Sequence, residues 1–158
     1  MIREIEKAEI NECASVIRDS FKTVALEFGI NNENCPGHTS FISTEKLQDQ
    51  YTSNRLMFVY VEDSKIIGYC SLKPNKDGSY ELDNLAILLE YRHKGFGKEM
   101  AKFAMYKVRE LGSDKMTIGI IEENGKLKKW YSDLGFVHTG TKKFEYLPFT
   151  VGFMELDI

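Results

Sequence analysis

The sequence predicts a single α/β domain, residues 1–158, built on a central sheet of mixed, mainly antiparallel direction with flanking helices. Three observations carry that expectation. Short apolar runs of strand length outnumber the amphipathic helical stretches; three such runs follow one another with only turn residues between them; and a later run is separated from its predecessor by a full helix, which calls for a parallel return. At 158 residues the chain buries roughly 70% of the surface it would expose unfolded, so one core suffices without a metal or a disulfide.

Each element has its own justification. Ile2 to Ile5 is short and alternating, an opening strand. From Lys7 to Phe28 the residues Ile10, Ala14, Ile17, Phe21, Val24, Ala25 and Phe28 recur at three and four and mark one helical face. Gly29 to Ser43 is polar, holds a Pro-Gly pair and reads as a long loop without structure of its own, a candidate wall for an acceptor substrate. Thr44-Glu45-Lys46-Leu47 then starts a shorter helix. Leu56 to Glu62, Ile66 to Lys73 and Ser79 to Leu88 are strands joined by turns at Asp63-Ser64-Lys65 and Asn75-Lys76-Asp77-Gly78, an antiparallel meander. A helix follows from Phe96 to Leu111, with Phe96, Met100, Ala104, Val108 and Leu111 on one face and Lys98, Lys102 and Lys107 outward. Met116 to Ile121 re-enters the sheet parallel to the Ser79 strand through a right-handed crossover. Asn124 to Leu134 is a last helix ended by Gly135, and Phe136 to Tyr146 with Phe149 to Leu156 form a hairpin.

Composition narrows the function classes. A net charge of -3 argues against general nucleic-acid binding, which needs a basic face. Cys13, Cys35 and Cys70 are odd in number and never spaced Cys-x-x-Cys, so neither a disulfide framework nor a metal site is indicated, and a reducing cytoplasm is the expected home. No apolar run is long enough to span a bilayer, and Arg3, Glu4, Glu6, Lys7 and Glu9 stand where a signal peptide needs an apolar core. The expectation is a soluble protein with no membrane partner.

Chemistry concentrates in Arg92-His93-Lys94-Gly95-Phe96-Gly97-Lys98, between the apolar run Leu85 to Leu89 and the Phe96 helix. A strand, a glycine loop and a helix start bring backbone N–H groups, a positive helix end and three or four cationic side chains together, which suits a pyrophosphate. The Walker pattern fails, because Arg92 and Glu99 stand where it needs a glycine and a Ser or Thr. The dinucleotide fingerprint is disfavoured by Met100, too large for close helix–strand packing. What remains, Arg-x-x-Gly-x-Gly opening a helix, resembles the coenzyme A loop of the GCN5-related N-acetyltransferase (GNAT) superfamily. A second motif strengthens the resemblance: Asn124, Leu127, Trp130, Tyr131, Gly135 and Phe136 stand in the pattern that follows the fifth strand in that superfamily. The match runs from about Tyr80 to Phe136, and the element order agrees along the whole chain. Leu89 departs from it, standing where many relatives have a proline.

The resemblance implies the acyl-CoA N-acyltransferase fold and an enzyme that uses acetyl-CoA as cosubstrate, without a metal. It implies that Leu85, Ala86 and Ile87 bond the pantetheine arm through their backbone, with the N–H near Ile87 polarising the thioester carbonyl; these three are also plain core-strand residues. It places Arg92, His93, Lys94, Gly95, Phe96, Gly97 and Lys98 around the phosphates. Asn124 is assigned to pantetheine, although the start of a helix suits it equally as an N-cap.

Acyl transfer needs a neutral amine, yet a primary amine of pKa ~10.4 is protonated all but ~1 part in 2,500 at pH 7. Glu81 lies eleven residues ahead of Arg92, the offset at which the histone acetyltransferase branch carries its base, and is the first candidate general base. A solvated strand glutamate beside Asp83 is the bland alternative; His38 is the runner-up base, and ordered water is the third. Tyr131 holds the family position for the acid that protonates the departing thiolate, with Trp130 assigned to packing. Lys126, Lys128 and Lys129 read as a solvated face and His138 as structural; Lys142, Lys143, Phe144 and Tyr146 read as an acceptor-side or dimer surface.

The expected function is therefore direct acetyl transfer to a primary amine of a small molecule or peptide. The alternatives are a coenzyme A binding regulator without turnover, a different acyl group, or a protein acceptor. An exposed terminal strand would permit a homodimer.

Overall fold

A computed structural model describes residues 1–158. In chain order the strands and helices are β1 (Ile2–Glu4), α1 (Ile10–Glu27), α2 (Thr44–Tyr51), β2 (Leu56–Glu62), β3 (Lys65–Pro74), β4 (Tyr80–Ile87), α3 (Phe96–Glu110), β5 (Lys115–Ile121), α4 (Gly125–Asp133), β6 (Val137–Lys143) and β7 (Thr150–Asp157). They form one seven-stranded sheet in the order β1-β2-β3-β4-β5-β7-β6. All neighbours are antiparallel except β4 and β5, as the intervening helix requires.

The period-two alternation of the strands sorts the core into two layers. On one face Phe58, Cys70, Leu72, Leu82, Met116, Ile118 and Met154 are covered by Met100, Ala104 and Val108 of α3 and by Tyr131 of α4. On the other, Met57, Val59, Tyr69 and Ala86 meet Cys13, Ala14 and Ile17 of α1 and Leu47 of α2. Caps fix the helix starts: the Ser43 hydroxyl accepts from Lys46 N–H at 3.0 Å for α2, and the Asn124 side chain accepts from Leu127 N–H at 3.2 Å for α4. No helix is long and apolar enough to cross a membrane.

Two expectations are corrected. The Gly29 to Ser43 loop is not without structure: Thr39–Phe41 is a 3₁₀ turn whose start is held by Ser40 N–H donating to His38 Nδ1 at 3.2 Å. Ile30 and Cys35 of the same loop are buried with Ala25 and Ile121, which gives it an apolar anchor. The terminal strand is not exposed either. β7 pairs with β5 from Lys115↔Asp157 to Ile121↔Val151 and is flanked outside by β6, so the edge strand at this end of the sheet is β6. The hairpin folds its second strand inward because β7 carries the buried Met154 while every residue of β6 except Gly140 is exposed.

Candidate active site

The site starts from a defect in β4. Its register against β3 runs from Tyr69↔Ala86 to Ser71↔Asp83, so Cys70 alone faces Asn84 and Leu85, a β-bulge. Asn84 takes φ 53°, a left-handed conformation that asparagine tolerates better than most residues. The bulge is held from the loop above it, where Thr39 Oγ1 donates to Asn84 Oδ1 at 3.2 Å. β4 and β5 pair only at Tyr80↔Met116 and Glu81↔Thr117 and then part.

Past the bulge the backbone of β4 has one free edge. Leu88 N–H donates to Ile67 O at 2.9 Å, so by antiparallel alternation both polar backbone groups of Ile87 point away from β3, into the gap toward β5. Arg92 Nε donates to Ile87 O at 3.0 Å, while the Ile87 N–H has no strand to pair with. A ligand bearing amides can take that donor as a short extra strand would.

The glycine loop closes one end of the gap. After a 3₁₀ turn at Leu89–Tyr91, His93 at φ 62° and Gly95 at φ 92° swing the chain so that α3 begins at Phe96. The first N–H groups of this fifteen-residue helix have no intrahelical acceptor. Gly97 brings the helix close to its neighbours, since a Cβ there would sit 3.5 Å from the Trp130 ring and 3.7 Å from Ile87. Lys94 and Lys98 are exposed beside it, Lys94 with its ammonium 5.6 Å from the Tyr91 ring centre. His93 is exposed too. The Arg92 guanidinium, in contrast, turns inward to α1 and β4.

The acid and base candidates flank β4 from opposite faces. Tyr131 is 6% exposed, in edge-to-face contact with Trp130 and Phe136 at 4.9 and 5.3 Å. Burial pushes its phenol well above the usual range, with Cys70 and Asp83 adding to the effect, so it carries its proton at neutral pH. Glu81 is half-buried; desolvation and then the charge of Asp83 push its carboxyl up, the direction a general base needs. It lines a cavity of about 390 Å³ together with Asn75, Thr117, Gly119, Phe153 and Glu155. Asp83 itself is paired with Arg55.

His38 is placed differently. Its Nδ1 accepts from Ser40 N–H, and the ring lies edge-on to Phe21 and Phe41, centroids 6.2 and 6.4 Å away. Burial depresses its pKa, and the hydrogen-bond network assigns the neutral tautomer with the proton on Nε2, so the lone pair a base would use is already engaged. Asn124 spends its oxygen on the α4 cap, which leaves the amide N–H₂ for another acceptor. His138 is tied to Glu122 at 2.9 Å, and Lys128 pairs with the same carboxylate.

Residues 27–136 match the sequence model of the acetyltransferase (GNAT) family. The chain belongs to that family. An uncharacterized N-acetyltransferase from the pepI 3′ region of Lactobacillus delbrueckii subsp. lactis is 24% identical over 147 residues, covering 85% of this chain and 82% of the relative. Among solved structures, the PaiA N-acetyltransferase of Thermoplasma acidophilum in complex with coenzyme A superposes with a TM-score of 0.83 at 23% identity, covering 100% of this chain and 98% of that one. The ribosomal-protein-alanine N-acetyltransferase of Brucella melitensis gives 0.77 at 17% identity, with 100% and 99% covered.

This acetyltransferase is thus an acetyl-CoA-dependent acyltransferase, and the residues present fit the cosubstrate: an unpaired donor in the gap, a glycine loop and a helix N-terminus flanked by lysines. Sequence reading missed three contributors. Thr39 and Asn84 hold the bulge, and Arg55 neutralises Asp83 beside the base candidate. The only signal for the bulge was Asn84 inside an otherwise regular strand, a residue depleted in strands and at home in left-handed backbone.

Proposed function

We propose that this acetyltransferase moves acetyl directly to a primary amine of a small molecule or peptide, without a covalent enzyme intermediate. The observation that carries the reading is the placement of Glu81 and Tyr131 on opposite faces of β4, beside a strand edge whose Ile87 N–H is unpaired. When bound, the cosubstrate supplies an activated thioester. Ile87 N–H is placed to donate to its carbonyl oxygen, and Leu85 and Ala86 to line the arm. Lys94, Lys98 and the N–H groups of Phe96, Gly97 and Lys98 are placed to hold phosphates, and the Asn124 amide to reach pantetheine. On the open face, Glu81 takes the proton from the incoming ammonium, directly or through one water, and its raised pKa brings it nearer to that task. On the covered face, Tyr131 holds a proton that a departing thiolate can take. Half-buried Glu81 with Asn75, Thr117 and Glu155 on the cavity wall supports a cationic acceptor. The three buried free cysteines suit a reducing cytoplasm.

The test is thiol release from acetyl-CoA across small amines, amino acids, polyamines, aminoglycosides and peptides, with mass spectrometry of the product. An acceptor gaining one acetyl group supports the reading. Another acyl preference would replace the acetyl assignment, and tight coenzyme A binding with no release for any acceptor would favour a regulator.

A further inference from the structure

Arg92 opens the glycine loop, yet none of its bonded donors points toward the loop. Nε donates to Ile87 O at 3.0 Å, Nη1 to Thr23 Oγ1 at 2.9 Å and Nη2 to Ser20 O at 2.5 Å. No carboxylate lies within ion-pair distance of it, and the side chain is half-buried between α1 and the end of β4. A fork of three donors on one hydroxyl and two carbonyls is a fixed, geometry-dependent use of guanidinium that a lysine cannot copy.

We infer that Arg92 is a positioning residue that clamps α1 to the cosubstrate strand and dictates which backbone group of Ile87 is left to bind, and that it is not a phosphate ligand. The inference rests on the reading of the β4–β5 gap as the cosubstrate seat. Where β5 departs, both polar groups of Ile87 lose their strand partner. Arg92 replaces the missing donor at the carbonyl and leaves the N–H as the free group, so the gap presents a donor to a thioester oxygen. The same guanidinium reaches the C-terminal half of α1, whose following loop pins Asn84 through Thr39. The segment Asn84 to Ile87 is therefore held at both ends by the acceptor-side wall, and the two substrate sites share one support.

The discriminating experiment compares R92K, R92Q and T23V by calorimetric titration of coenzyme A at low and high salt, by steady-state kinetics, and by urea unfolding. Thr23 lies on α1, outside the loop and the gap. The clamp predicts that R92K, which keeps the charge and loses the fork, weakens coenzyme A roughly tenfold or more, as R92Q does, in line with the loss of charged hydrogen bonds. The salt dependence of binding stays as in the wild type, because no phosphate contact has been removed. T23V raises the KM for acetyl-CoA in the same direction, and adding it to R92Q changes little further. Wild-type affinity in R92K, a flattened salt dependence in R92Q, or loss of stability with unchanged coenzyme A affinity overturns the inference. If the wild-type protein itself binds no coenzyme A, the reading of the gap fails separately. The clamp is then judged by the double-mutant cycle of unfolding free energies, where additive R92Q and T23V effects overturn it.

Discussion

In the proposed reaction Tyr131 and Glu81, buried to different extents on two sides of one strand, take different duties. Tyr131→Phe keeps the ring that packs on Trp130 and Phe136 and removes only the hydroxyl. Turnover should fall roughly a hundredfold, within the usual range for a general acid, while coenzyme A affinity stays within about twofold; an unchanged kcat would remove Tyr131 from the chemistry. The proposed base role needs Glu81 deprotonated, and its folded-state pKa is raised by desolvation and Asp83. Wild-type kcat/KM should therefore climb with pH through that raised value, and Glu81→Gln should lower the rate roughly 10²- to 10⁴-fold and abolish this acidic limb. A carboxyl whose folded pKa exceeds its unfolded one contributes stability only at low pH and loses it as pH rises, so the same variant should melt no lower than the wild type at neutral pH. A variant of wild-type rate and profile would return the base role to His38 or water. Both residues could be named as candidates from the sequence because each stands at a fixed offset from a motif. The inward turn of Arg92 was not, since a loop motif records residue order and says nothing of which way a side chain leaves the chain.

The bulge in β4 is the element on which the site depends, and its conformation can be tested apart from its hydrogen bond. Asn84→Gly accepts φ 53° but loses the contact from Thr39, and should cost about 1 kcal/mol in urea unfolding. Asn84→Val adds a β-branched side chain that resists left-handed backbone, and should cost about 2 to 4 kcal/mol in total. Equal stability of the two variants would show that backbone strain does not matter there. Strands β2, β3 and β4 stand within a residue or so of their expected bounds because alternation and turn residues delimit them from both sides. The 3₁₀ turn at Thr39–Phe41 was hidden, since three residues are too few for any period and its support comes from the His38 ring.

Over the whole molecule, all three cysteines are buried, and burial pushes the thiols of Cys13 and Cys70 up to about 12. Native protein at pH 8 should resist a thiol-alkylating reagent until it unfolds, so labelling becomes a clock for global opening. Rapid labelling of one cysteine in the folded state would show a breach in the core. The core-facing side of α1 was readable from periodicity, but the sheet face each helix covers was not. The inward place of β7 was not, because a hairpin's pattern gives the pairing of its two strands and leaves open which of them meets the rest of the sheet.

The brief contact between β4 and β5 has a mechanical side. With only Tyr80↔Met116 and Glu81↔Thr117 joining them, the sheet amounts to two stiff plates, β1 to β4 and β5 with the final hairpin, meeting along a two-pair hinge and steadied by the helices that straddle it. A molecule lying in the open wedge touches both plates at once. Anything that fills the wedge would stand in for the ladder that β4 and β5 do not share, so its binding should be read in the rigidity of the sheet as well as in occupancy.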